Sequence, residues 1–129
     1  MFYEVKTKGL DETGKEVREL WLVTAENIID AIYAACKEAN TSDTESAKCS
    51  SIYEVINEGA SGKEGRYTIE FSCESVDEKG KTKELKYKLF LYADSFDDAK
   101  AIAGEYLKQG YDGFKLSGLN ESSIVKYIR

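Results

Sequence analysis

Histidine is absent from the 129 residues. That removes Ser-His and Cys-His nucleophile pairs, histidine general bases and the commonest metal ligand, so most familiar hydrolase and metalloenzyme designs are excluded. Cysteine is scarce, and Cys36, Cys49 and Cys73 are odd in number, widely spaced and not arranged as a CxxC pair. Neither a disulfide framework nor a zinc site is signalled, and free buried thiols are the expectation. No apolar run approaches the length of a membrane span, and Met1-Phe2-Tyr3-Glu4-Val5-Lys6 lacks the basic, apolar and small-residue regions of a signal peptide. A cytoplasmic protein without membrane contact is expected.

What is present suits a folded domain. Hydrophobic residues make up 42% and aromatics 12%, enough for one compact domain to bury its own core.

The second half opens on Tyr67-Thr-Ile69-Glu-Phe71-Ser-Cys73-Glu, turns at Asp77-Glu-Lys-Gly80-Lys81 and returns through Leu85-Lys-Tyr87-Lys-Leu89-Phe-Leu91-Tyr92. Two alternating runs about a Gly-containing turn predict a β-hairpin. The first half repeats it with Tyr3-Glu-Val5-Lys-Thr7, Asp11-Glu-Thr-Gly14-Lys15 and Val17-Arg-Glu-Leu-Trp21-Leu-Val23. The offset reads as 66 before the turn and 68 after it, attributed to a turn two residues longer in the second copy. Asn27 and Ser95 then stand as N-caps, with Asp30 and Asp98 three residues later in capping-box positions.

The first helix presents Ile28, Ala31, Ile32, Ala35 and Cys36 as a face to bury, and the second Phe96, Ala99, Ile102, Ala103, Tyr106 and Leu107. Gly110 suits the end of the second helix, and Asn40 to Ser46 reads as loop. The tails Lys48 to Ile56 and Gly113 to Ile128 align at Ser51-Ile52 with Ser123-Ile124. The expected fold is α+β, a tandem duplication of a ββαβ unit with antiparallel sheets and two helices packed on one face. Its first repeat spans 1-58, its glycine-rich connector 59-65 and its second repeat 66-129, together one compact domain.

The pattern aromatic-x-Val-Lys, an acidic turn with Gly-Lys, a strand ending Val-x-Ala and an x-Ala helix start resembles a duplicated strand-strand-helix-strand family of gut bacteria and their tailed (crAss-like) phages, a domain of unknown function. Matching positions are Tyr3, Val5, Lys6, Gly14, Lys15, Val23, Ala25, Ala31 and Glu54, then Asp77, Glu78, Gly80, Lys81, Ala93, Ser95, Phe96 and Ala99. Asn27-Ile28 departs from the usual Ser-Phe. The resemblance implies a small phage-associated accessory protein, with no activity to carry over.

Before residue 62 there are six Lys and Arg against twelve Asp and Glu, and after it twelve against twelve, so the first copy carries the net charge of −6. Lys79, Lys81, Lys83, Lys86 and Lys88 crowd the second hairpin. By alternation Lys86, Lys88, Phe90 and Tyr92 share one strand face, a pairing of cations with rings that suits single-stranded nucleic acid. The same residues equally serve as a solvated strand with rings packed beneath, and the acidic balance favours that reading. Arg18, Leu20, Leu22 and Thr24 occupy the matching first-copy positions, and their aliphatics favour an apolar contact surface covered by a partner such as a second copy.

Nine tyrosines raise a second alternative, a cleft that sequesters a nucleotide messenger. The acidic pairs Asp11-Glu12, Asp77-Glu78 and Asp97-Asp98 fall in turns and a helix start, and Gly59 to Gly65 lacks the Lys-Ser/Thr ending of a phosphate loop. No catalytic residue, metal site or cofactor is therefore expected. The predicted function is a non-catalytic binding or assembly module with a protein partner, itself or a phage or host protein, as a homo-oligomer. Its candidate surface is Lys81, Lys83, Lys86, Lys88, Phe90 and Tyr92 with Arg18, Leu20 and Leu22.

Overall fold

A computed structural model describes residues 1–109 and 113–129. Gly110, expected to end the second helix, lies outside the described residues. The elements run β1 Phe2–Leu10, β2 Glu16–Thr24, α1 Ile28–Ala39, β3 Asp43–Cys49, β4 Ile52–Ile56, β5 Gly65–Val76, β6 Thr82–Ala93, α2 Phe96–Lys108, β7 Lys115–Glu121 and β8 Ile124–Ile128. The α+β class and the recurrence of strand, strand, helix, strand are both present. Each recurrence carries one strand more than expected, because the chain breaks at Ser50-Ser51 and again at Ser122-Ser123.

Those extra strands decide the domain organisation. One sheet has the order β3-β1-β2-β8 and the other β4-β6-β5-β7. In both, the last strand of one repeat joins the return strand of the other in parallel, so the sheets are mixed where antiparallel ones were expected. A parallel neighbour cannot be reached through a tight turn: β6 follows β4 after the connector and β5, and β8 follows β2 only after all the elements between them. The compact units are consequently residues 1–51 with 123–129, and residues 52–122. Their boundaries differ from the sequence repeats 1-58 and 66-129 and leave the connector 59-65 inside the second unit.

The two units share a register. Tyr3 and Tyr67 face Val23 and Leu91, which places the first arms 64 residues apart and the return arms 68 apart. The turns themselves are alike. Asp11 Oδ1 accepts from the Thr13 and Lys15 amides, and Asp77 Oδ1 from those of Lys79 and Lys81, all at 2.9 Å. Gly14 and Gly80 take the left-handed conformation at φ 79° and 77°, which only glycine enters without strain. The second hairpin is thus longer by two residues in each arm, where the sequence suggested a longer turn. An even insertion keeps every side chain on its own face.

In the first unit Tyr3, Val5, Trp21, Val23, Ala31 and Ala35 form the core between α1 and the sheet. In the second, Tyr67, Ile69, Leu89, Leu91, Ala99 and Ala103 occupy the matching places, joined by Phe71 and Ala93. The helical alanines cost no rotamer entropy and let each helix lie close to its sheet. Bulk is exchanged between strands: Trp21 with buried Thr7 in one unit answers to Leu89 with Phe71 in the other. Each helix also ties to its parallel strand at the same place, Glu38 to Lys126 and Tyr106 to Glu54.

The polar segment read as loop from Asn40 becomes β3 at Asp43, pairing with β1 through a bulge at Lys6/Thr7. An edge strand needs little apolar content, and Thr44 and Ala47 are its only half-buried side chains. The cysteines are free but not core residues as expected, since Cys49 is exposed and Cys36 and Cys73 are half-buried.

Both N-caps form: Asn27 Oδ1 accepts from the Asp30 amide at 2.9 Å and Ser95 Oγ from the Asp98 amide at 3.1 Å. Asp98 also accepts from Lys63 Nζ and the Asp94 amide, which hold its carboxyl below the usual carboxylate range.

Two outcomes follow. Trp21 Nε1 donates to Thr7 Oγ1 at 2.9 Å inside the core, so Thr7→Val strands a buried donor and lowers unfolding stability by about 1–3 kcal/mol in urea titrations. Asp98 has a depressed folded value, so its stabilisation is complete above the ordinary carboxyl value of about 3.9 and fades as the pH falls through the lower folded value. Asp98→Asn is therefore less stable than the parent at neutral pH, and the gap between their urea midpoints closes in acid.

Candidate functional site

The second hairpin places its expected site residues unevenly. β5 pairs with β7 as far as Ser72, and β6 with β4 from Lys88 onward. Cys73–Val76 and Thr82–Leu85 therefore pair with one another as a two-stranded ribbon. Lys81, Lys83 and Lys86 are exposed on or beside it, Lys88 and Tyr92 are half-buried, and Phe90 is 0% exposed. Phe90 meets Tyr92 edge-on with ring centroids 5.1 Å apart, so Phe90 offers no open face for a base to stack upon.

Nor is the ribbon basic in sum. From Cys73 to Lys86 its four lysines are matched by Glu74, Asp77, Glu78 and Glu84, and Lys86 reaches Glu70 at 3.7 Å. Opposite charges within a Debye length leave little field to attract phosphate. The imbalance seen along the sequence also shrinks in space. The first unit has eight Lys and Arg against ten Asp and Glu, the second ten against fourteen, because Glu54 and Glu58 belong to one and Lys126 and Arg129 to the other.

The matching first-unit positions behave alike. Leu22 is fully buried, Leu20 half-buried, and Arg18 lies between Glu16 at 3.6 Å and Glu45 at 3.4 Å. Lys8 hydrogen-bonds Glu16, which lifts the lysine above its ordinary value and lowers the carboxyl below its own. These charges form a surface network on the sheet, and the aliphatics expected at a contact surface are largely covered.

A cluster of open apolar side chains lies elsewhere, on α1. Ala31 and Ala35 fill its core-facing side, and the larger side chains toward the far side of the helix remain outside. Ile29 and Tyr33, four residues apart and each 74% exposed, stand on one stripe with half-buried Ile32 and Cys36. With Lys37, Asn40, Thr41 and Ser42 they line an open groove of about 710 Å³. Asn40 ends the helix in the left-handed conformation, its amide turned back to the Cys36 and Lys37 carbonyls. Cys36 Sγ lies 3.2 Å from Thr44 Oγ1, which fixes the groove floor against β3.

A helix-period reading of the sequence assigned Ile28, Ile32 and Cys36 to the core and passed over Ile29 and Tyr33. The signal that finds them is the repeat itself. At the 68-residue offset the stripe of Ile29, Ile32, Tyr33 and Cys36 becomes Asp97, Lys100, Ala101 and Gly104 on α2. The same scaffold folds without those apolar groups, so packing does not account for them.

Among the described residues, no three His, Cys, Asp or Glu side chains are grouped to hold a metal, and no helix is long and apolar enough to cross a membrane. Of the tyrosines, Tyr33 lines the groove, while Tyr3 and Tyr67 are buried in the two cores. A search of the curated proteins found no match to the chain, and a search of the solved structures found none. The turn, cap and core positions that recur between the two units run from end to end of the sequence, and so does a family model that matches it: over residues 1–129 the chain belongs to the family described as Domain of unknown function (DUF4494).

Proposed function

We propose that this chain is a non-catalytic binding and assembly module whose contact surface is the outer stripe of α1. The observation that carries it is the exposure of Ile29 and Tyr33 on a helix whose pseudo-equivalent, α2, has Asp97 and Ala101 at those positions. Exposed aromatic and branched aliphatic groups beside a groove are what a protein partner covers. The resemblance to a phage and gut-bacterial family supports a phage-associated accessory role, with a protein partner that is itself or one of the phage or host.

A nucleic-acid role for the second hairpin draws less support, since its lysines are balanced by carboxylates and Phe90 is closed. A messenger-binding cleft is likewise less favoured, because the groove gathers a single tyrosine among the described residues.

Affinity capture followed by crosslinking from cells in which the protein is active is the test. Tyr33→Glu is expected to lose about 2 kcal/mol or more of partner binding with an unchanged unfolding midpoint, as its side chain is outside the core. Lys86→Glu combined with Lys88→Glu is expected to leave capture intact. Identical capture by the parent and Tyr33→Glu would overturn the reading. So would tight, salt-sensitive binding of single strands in fluorescence polarisation that the lysine reversals abolish.

A further inference from the structure

We infer that the partner of the α1 stripe is α1 of a second copy of this chain, packed antiparallel about a twofold axis beside Tyr33. This rests on the reading of the stripe as a protein contact surface and names its occupant. The argument comes from the charges that border it. A twofold interface must be complementary to itself, each group on the patch meeting the group placed symmetrically across the axis.

Asp30 lies in the first turn of α1 and Lys37 in the last, seven residues apart and so on the same edge of the helix, with Tyr33 near their midpoint. When two helices pack antiparallel, like edges face one another. Asp30 of one copy then comes within reach of Lys37 of the other, twice over. A parallel twofold pairing would instead turn the Asp30–Lys37 edges to opposite sides of the seam, where neither charge meets its complement.

Further features favour the same geometry. The antiparallel arrangement brings the positive end of each helix dipole to the negative end of its partner. Both charges are exposed, and Glu38, on another side of the helix, is engaged with Lys126 of its own unit. Ile29 and Tyr33 then interdigitate across the axis as short-helix ridges into grooves. On α2 the stripe positions Asp97 and Lys100 are themselves charged, so no apolar seam runs between flanking ions.

A helix of 12 residues offers a seam of about 18 Å, shorter than a standard interface requires, so the dimer is in concentration-dependent exchange with monomer, at micromolar affinity or weaker.

Sedimentation equilibrium of the whole chain, from micromolar to about 1 mM, reads this directly. The parent is expected to move from monomer toward twice its mass, and Tyr33→Glu to raise the dissociation constant at least about tenfold. Asp30→Lys and Lys37→Glu each place like charges across the axis and weaken association. Mixed in equal amounts they restore it, because one chain then carries two positive edge groups and the other two negative. Helical circular dichroism verifies that each variant is folded. Should Asp30→Lys fail there, Tyr33→Glu still decides the matter.

A parent that stays monomeric to about 1 mM overturns the inference, as does a dimer indifferent to Tyr33→Glu or a mixture no better than its components. A monomeric parent whose partner capture is still lost in Tyr33→Glu overturns self-pairing and leaves the docking surface standing. A monomeric parent with unaltered capture overturns both.

Discussion

Each four-stranded sheet is closed by a strand that its own repeat does not contain. β2 takes β8 and β6 takes β4, each in parallel, each with a register shift at the same place between Leu20/Trp21 and Ile52/Glu54. Without these strands the return arms would be sheet edges, with a row of unpaired amides and carbonyls beside buried apolar groups. The helices depend on them as well, since Glu38 and Tyr106 are anchored on the strands that arrive from the other repeat. Position of α1, and hence of its outer stripe, follows from this exchange.

The core was legible in the sequence because burial demands period two on strands and period 3.6 on helices, and Tyr3, Val5, Trp21, Val23 and Ala31 obey it alongside their counterparts. The caps at Asn27 and Ser95 were legible for the same kind of reason, a local hydrogen bond with a local residue code. The destination of β4 and β8 was not. Ile52 to Ile56 and Ile124 to Ile128 are short mixed runs whose partners lie far away in the chain, and periodicity carries no information about partners. The arm length misled for a narrower reason: the Asp-x-x-Gly-Lys turns align at 66, and anchoring on them hides an insertion shared equally by both flanks.

Periodicity on α1 picks out Ile28, Ala31, Ile32, Ala35 and Cys36 as the face to bury and passes over Ile29 and Tyr33. Ala31 and Ala35 face the sheet, and angular position round the helix leaves Ile29 and Tyr33 outside. The lysine-rich hairpin drew attention because linear clustering exaggerates charge. Once the strands pair, Glu70 stands opposite Lys88, and Glu74 and Glu84 lie among the ribbon lysines. Two repeats of one scaffold serve as each other's control. What both carry belongs to folding, and what α1 alone carries invites another explanation.

The reciprocal strands also set an order of events during synthesis. β2 leaves the ribosome early, yet its parallel neighbour begins at Ile124, about a hundred residues later. Throughout that interval the Glu16–Thr24 edge stays open, and the first unit is complete only when Ile124–Ile128 has emerged. A chain released before Ile124 would therefore keep an unsatisfied strand edge, open to pairing with other chains. The crossing strands thus make the arrival of β8 a condition of folding for the part translated first.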